Sequence, residues 1–187
     1  MRYAHDHKAQ THERILHEAS ARFRRDGIGA TGLQPLMKAL GLTHGGFYAH
    51  FKSKDDLVEK AMRCAADEAN ERTRQAFEEE NGLSAFIDMY LSEGHRNAPE
   101  KGCPMPTMAS ELGQRGQASP IADELIESRL ALLQQALGGP DADAQSVVML
   151  STLVGALMLS RSTQDPALSE RILHTTRDFL KQQNSES

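Results

Sequence analysis

Between His7 and Arg25 the apolar residues Ile15, Leu16, Ala19 and Phe23 recur at helical spacing on a charged background, which predicts an amphipathic first helix stopped by Asp26-Gly27. After the Gly-Ile-Gly-Ala-Thr-Gly loop, Leu33, Leu36, Met37 and Leu40 predict a short second helix; Pro35 is tolerable in its first turn and Gly41 stops it. Thr43 is a good N-cap for a third short helix, His44 to Ala49, with Phe47 and Phe51 facing inward and His44, Gly45 and Tyr48 left outside. Ser53 with Asp56 three residues on forms a capping-box pattern that opens a long fourth helix, running to about Glu80.

The remainder also reads as helical, and no stretch alternates apolar and polar residues as a strand would. Gly82 to His95 is one amphipathic helix, 99–106 a break containing Cys103, and Thr107 to Leu112 a short helix. Ser119-Pro120 opens a helix through Ile121, Leu125, Leu130, Leu133 and Leu137 that stops at Gly138-Gly139-Pro140. Ala142 to Arg161 follows, and Asp165-Pro166 starts a last helix through Leu168, Ile172 and Phe179 before a polar tail expected to fray. The expectation is an all-α chain of about nine helices.

Composition narrows the class. No apolar run reaches the about 18 residues of a membrane span, and the N-terminus lacks the apolar stretch of a secretory signal. A soluble cytoplasmic protein with no membrane partner is expected. Cys64 and Cys103 are too few for a disulfide framework and have no Cys-x-x-Cys spacing. In the His5, His7, His12, His17 series all but His7 take solvent positions, and no acid or Cys completes a ligand set, so neither metal nor cofactor is expected. The net charge of −5 argues against a polyanion partner until its distribution is read. Residues 1–60 carry ten Lys and Arg against seven Asp and Glu, a net of +3, and six of the eight His; the rest carries 11 against 19, a net of −8. Only the N-terminal third has a field suited to nucleic acid.

That third contains two short helices joined at Gly41-Leu42-Thr43 and braced by a preceding helix, the physical specification of a helix-turn-helix. The order Thr31, Leu36, Gly41-Leu42-Thr43, Gly45, Phe47-Tyr48, His50-Phe51, Ser53-Lys54 and Leu57, preceded by Ile15-Leu16, Ala19 to Phe23 and Gly27, resembles the DNA-binding domain of the tetracycline-repressor (TetR) family. The resemblance covers roughly residues 8–65, with the motif at about 31–51, and the helical remainder, 66–187, is similar to that family's ligand-binding and dimerisation region. It implies that the third helix reads a major groove. Thr31 and Gln34 are implied as phosphate contacts, Thr43 as both N-cap and phosphate ligand, and His44 and Gly45 as the residues that approach base edges. Tyr48 would bond a phosphate through its hydroxyl, His50 would lie at the DNA backbone, and Lys54 would add a cation to a helix N-terminus at the same phosphate. The chain departs from the family pattern at Met37, where a small residue is commoner, at Gly46, where Ser, Thr or Ala is, and at His44, where Lys, Arg or Pro often stands. Phe47 and Phe51 read as core rather than as stacking platforms.

A regulator needs a second state and a partner surface. Val147 to Leu159 is apolar almost all round, with Gly155 and Ala156 permitting close approach. With Ile172, Phe179 and Leu180 it predicts a homodimer through about 142–161 and 166–181, holding two recognition helices about 34 Å apart over a pseudo-palindrome of double-stranded DNA. Met62, Phe86, Met89, Cys103, Met105, Met108, Leu125 and Met158 are the candidate lining of an effector pocket, since methionine fills gaps in cores and adapts to ligands. The segment around Gly102-Cys103-Pro104 resembles a Gly-Cys-Pro stretch in one branch of the family, where some relatives respond to electrophiles or oxidants. Lys101 and a following helix favour a thiolate, whereas burial would leave the thiol inert.

The expected function is a DNA-binding repressor, not an enzyme, released by a small molecule or by modification of Cys103. Its rivals are an activator on the same fold, a small-molecule carrier, and an enzyme with Cys103 as nucleophile and His95 as base. The last lacks an orienting third group, a phosphate loop and a metal set.

Overall fold

The structure, a computed structural model, describes the backbone of residues 2–185 and the side chains of 7–184. Nine α-helices and no strand lie among the described residues: α1 (Arg2–Asp26), α2 (Leu33–Ala39), α3 (Lys54–Phe77), α4 (Gly82–Tyr90), α5 (Glu93–Asn97), α6 (Ser110–Gln114), α7 (Pro120–Leu137), α8 (Ala142–Ser162) and α9 (Pro166–Ser185). The all-α expectation holds. Between α2 and α3 lies a 3₁₀ helix, His44–Ala49, and before α6 a π-helical turn, Met105–Ala109.

Helix α1 packs on α3, and α2 with the 3₁₀ helix closes a small core of Ile15, Phe23, Leu36, Phe47, Phe51 and Leu57, all at most 2% exposed. Helix α3 also packs on α4 and α7, then α7 on α8 and α8 on α9. Helix α3 therefore belongs to both halves, and its 24 residues span about 36 Å at 1.5 Å per residue.

The departures from the expected elements have local causes. The third helix is 3₁₀ because Gly45-Gly46 gives it little helix propensity and six residues leave little room for i→i+4 bonding. The predicted 82–95 helix divides at Leu91-Ser92. There the Ser92 hydroxyl accepts from the His95 amide at 3.0 Å, capping α5, and donates to the Met89 carbonyl at 2.8 Å, closing α4. Where the polar tail is expected to fray, α9 continues to Ser185; Glu186, Ser187 and the side chain of His5 lie outside the described residues.

Helix α8 is long and apolar enough to cross a membrane by length and composition alone. Its inner face is buried through Met149, Leu150, Leu153 and Leu157, while Val148 (64% exposed) and Leu159 (60%) stand on the outside with Phe179 of α9 (57%). Gly155 lies between Val148 and Leu159 on this outer face, and a Cβ there would meet nothing within 4 Å.

Candidate nucleic-acid interface

The corner between α2 and the 3₁₀ helix is built from backbone bonds. Gly41, at φ +71°, donates to the Lys38 carbonyl at 3.0 Å, and Leu42 to the Met37 carbonyl at 2.9 Å, the paired bonds of a glycine-terminated helix end. A side chain at this left-handed position would be strained, so the chain reverses here. Thr43 then caps the 3₁₀ helix, its hydroxyl accepting from the Gly46 amide at 3.2 Å. Phe47 stacks on Phe51 at 5.5 Å, and His12 of α1 lies over Phe51 at 4.4 Å, which fixes the helix to its support. A Cβ on Gly46 would lie 4.0 Å from Met37 Cε, so two of the three departures from the family pattern face one another: a large residue on α2 meets an absent side chain across the turn.

The inward aromatics leave an outward row. Gln34, Thr43, His44 and Gly45 are exposed, and Tyr48 is 61% exposed with its ring edge-on to His44. Lys38 and Lys52, counted in the sequence only for charge, are exposed on either side of the turn. His50 lies differently: its ring is 6.1 Å from that of His12, and its Nδ1 is buried without a partner. Burial first, then the charges of His12 and Lys8, lower its pKa, so the neutral ring predominates at neutral pH and offers a phosphate no cation.

Two residues implied as phosphate contacts are engaged within the protein. Thr31 is 5% exposed and its hydroxyl donates to the Gly27 carbonyl at 2.8 Å. Lys54 Nζ donates to the carbonyls of Ile28 and Thr31 at 2.7 and 2.8 Å. Both residues fasten the loop between α1 and α2. Glu111 of α6 holds the same loop from the other half of the molecule, its carboxylate accepting from the amides of Ile28 and Gly29 at 2.6 and 2.8 Å while pairing with Arg115. A second tie runs from buried Arg24 of α1, which donates to the Gly102 carbonyl at 3.2 Å and to Glu68 at 2.7 Å. Residues 102–111 thus grip the N-terminal unit at two points.

The same segment walls a cavity of about 250 Å³ between α3, α4, α5 and α7. Of the candidate pocket residues only Met89 and Cys103 line it. Phe86, Met105, Met108 and Leu125 are core, Met62 lines a separate groove beside Ile121, and Met158 is 38% exposed on the outer surface of α8. Helical spacing does not say which neighbour a side chain meets, and the methionines were placed on composition alone. The missed residues are Arg72, Tyr90, His95 and Arg129. One signal for them was present: Ile121, Leu125, Arg129, Leu133 and Leu137 recur every four residues, and a cation stands in the middle of the apolar stripe.

His95 donates from Nδ1 to the Tyr90 carbonyl at 2.7 Å and accepts at Nε2 from the Cys103 amide at 3.1 Å. Burial pushes its pKa down to about 4, so it is neutral. Both ring nitrogens serve backbone groups and neither reaches the Cys103 thiol, which removes the base from the Cys-His enzyme reading. Cys103 is 6% exposed, and the cations beside it in the cavity wall are Arg72 and Arg129 as well as Lys101.

The fold corrects two expectations about the histidines. His7 is exposed, and the partly covered member is His12. His17 lies 3.6 Å from Cys64 Sγ and 3.3 Å from Glu68, so a Cys and an acid do complete a three-donor group. Arg24 already occupies Glu68, and burial together with Glu68 pushes the Cys64 thiol up to about 11; both oppose metal binding.

An N-terminal helix-turn-helix unit and a cavity-bearing helical half are thus joined by a shared helix. Residues 15–61 match the model of the bacterial regulatory proteins, tetR family. The chain is 24% identical over 169 residues, 84% of its length and 88% of the other's, to the HTH-type transcriptional regulator YxaF of Bacillus subtilis (strain 168). Its fold is similar to that of a TetR transcriptional regulator from Legionella pneumophila, with TM-score 0.77, 22% identity and coverage of 91% and 95% of the two chains. It is also similar to the reduced form of NemR from E. coli, with TM-score 0.76, 18% identity and coverage of 92% and 96%. The fold is similar to that of these TetR-family structures, and the family model matches the segment that holds the helix-turn-helix.

Proposed function

We propose that the protein is a cytoplasmic, homodimeric transcriptional repressor that binds a pseudo-palindromic operator and leaves it when a small effector enters the cavity. The single observation that carries the reading is the exposed row Gln34, Thr43, His44, Gly45 and Tyr48 on a turn whose phenylalanines, Phe47 and Phe51, are turned inward. Donors and small side chains on a protruding short helix suit base edges and phosphates. Thr43 keeps its hydroxyl hydrogen for a phosphate after accepting the capping bond, and the exposed Tyr48 offers a phenolic hydroxyl beside His44. We assign the DNA-binding unit to about 8–65 and the sensing and dimerisation unit to about 66–187, with α3 shared.

The dimer is supported by the outward apolar face of α8 and α9, where Val148, Leu159 and Phe179 are more than half exposed around an open Gly155. Effector control is supported by the 102–111 segment. Its Cys103 end forms cavity wall and its Glu111 end holds the loop that carries α2, so an occupant that shifts the wall biases the DNA-binding unit. A difference of a few kcal/mol in effector affinity between the two conformations suffices to empty an operator. A reagent acting on Cys103 would have to enter through the same cavity.

Selection of duplexes from a random pool by the purified protein at moderate salt tests this reading. Wild type is expected to enrich a two-fold pseudo-palindrome and Tyr48→Ala to lose most of that enrichment. A pool left unenriched by effector-free protein refutes it.

A further inference from the structure

Arg129 sits in the middle of α7 at 1% exposure, and its Nε and Nη1 have no hydrogen-bond partner; only Nη2 is engaged, with Asn70 at 3.1 Å. No carboxylate pairs with it among the described residues. The charged or polar groups that act on it are the Cys103 thiol, the Tyr90 phenol and the like charge of Arg72. The Tyr90 hydroxyl is likewise buried, with the weakly bonding Cys103 thiol beside it and otherwise no hydrogen-bond partner. Isolated buried cations are costly, because desolvation is not repaid by a partner charge. A fold that keeps one has a use for it or a ligand that neutralises it.

Both orphaned groups belong to the cavity wall, together with Arg72 and Lys101, and no Asp or Glu is among the lining residues. The apolar part of the lining comes from Ala69, Met89 and Ala98. We propose that the effector is a small organic carboxylate, its anionic head held by Arg129 and the Tyr90 hydroxyl and its apolar body laid against Ala69 and Met89. The volume of about 250 Å³ lies just under the about 300–1,000 Å³ of drug-sized pockets, which restricts the ligand to a small molecule. This deepens the effector reading above and rests on it. The carboxylate also explains how occupancy reaches the DNA-binding unit. Arg72, which donates to the Gly102 carbonyl at 3.4 Å, is drawn toward the anion, and that carbonyl is the one Arg24 of α1 holds.

Calorimetry of the full-length dimer, without DNA, tests the assignment with three probes: benzoate, its neutral isostere benzamide, and inorganic phosphate. Benzoate is expected to bind at least tenfold more tightly than benzamide or phosphate. Tyr90→Phe, which removes only the hydroxyl, is expected to weaken benzoate about tenfold, the loss of one charge-assisted hydrogen bond. Arg129→Met is expected to abolish the preference for benzoate over benzamide without lowering the melting temperature, because an uncompensated charge is replaced by an apolar chain of similar length. If Arg129→Met does not fold, the Tyr90→Phe comparison still decides. Equal binding of benzoate and benzamide overturns the proposal, as does phosphate binding more tightly than benzoate. Loss of a Cys103 thiolate absorbance in Arg129→Met, with no benzoate binding to wild type, overturns it by showing that the thiolate is the counter-ion. Benzoate binding that leaves operator affinity unchanged supports the anion site and refutes effector control, so the two readings fail separately.

Discussion

Replacing Lys54 by Met separates two roles for the residue at the head of α3. Its ammonium makes two bonds to carbonyls of the α1–α2 loop, at 2.7 and 2.8 Å, in a partly buried position. Hydrogen bonds to charged groups contribute about 1.5–3 kcal/mol each. Taking the low end for a partly solvated pair, the substitution costs about 2–3 kcal/mol. For a chain of this size 1 kcal/mol moves the melting temperature by about 2–4 °C, so a fall of about 4–12 °C is expected by calorimetry or circular dichroism. A residue that served only as a phosphate contact behaves oppositely: its loss leaves stability intact and lowers the slope of log K against log salt by about 0.9. We expect Lys54→Met to lower stability and leave that slope unchanged. Lys52→Met, at an exposed cation beside the turn, is expected to lower the slope by about 0.9 with the melting temperature unchanged. An unshifted melting temperature in Lys54→Met, with a slope reduced by one phosphate, would refute the assignment of Lys54 to the loop.

Further outcomes follow from the same geometry. Glu111→Ala leaves the amides of Ile28 and Gly29 without their acceptor and is expected to cost about 1–3 kcal/mol in a denaturant titration, with a smaller effect of any effector on DNA affinity. Gly46→Ala adds a Cβ whose nearest neighbour is the Thr43 hydroxyl at 3.4 Å, so it is expected to stabilise the fold by about 0.5–1 kcal/mol through helix propensity; a loss of stability would show that the Met37 contact does not yield. His95 has a folded pKa near 4 against an ordinary 6.5, so the unfolded chain binds the extra proton and stability falls as pH drops from about 6.5 to about 4, by about 3 kcal/mol at most. His95→Gln is expected to flatten that part of the stability profile. The double substitution Val148→Glu, Phe179→Glu is expected to give a folded monomer in light scattering, and a dimer that persists would move the interface elsewhere.

The helices and their order were legible because caps and stops are local. Thr43, Ser53, Ser119 with Pro120 and Gly41 each announce an end that the structure places within a residue or two. The outward set of the turn was legible too, since Phe47 and Phe51 at i and i+4 fix which way His44 and Tyr48 point. What stayed hidden depends on contacts between residues distant in the chain. That Lys54 and Thr31 bond to the α1–α2 loop follows from where the Gly27, Ile28 and Thr31 carbonyls turn, and that Glu111 meets the same loop joins positions more than eighty residues apart. The lining of the cavity was not legible because methionine content says nothing about location, and a lone Arg129 in the leucine stripe of α7 does not reveal which neighbours it meets.

The measurement that bears most directly on the central claim is affinity for the selected operator as a function of half-site spacing. Two recognition turns held by one rigid dimer should bind the natural spacing as two chains per duplex, and should lose most of their affinity when about five base pairs, half a helical turn, are inserted between half-sites. Affinity that is unchanged by the insertion, or a single chain bound per duplex at saturation, would contradict the account.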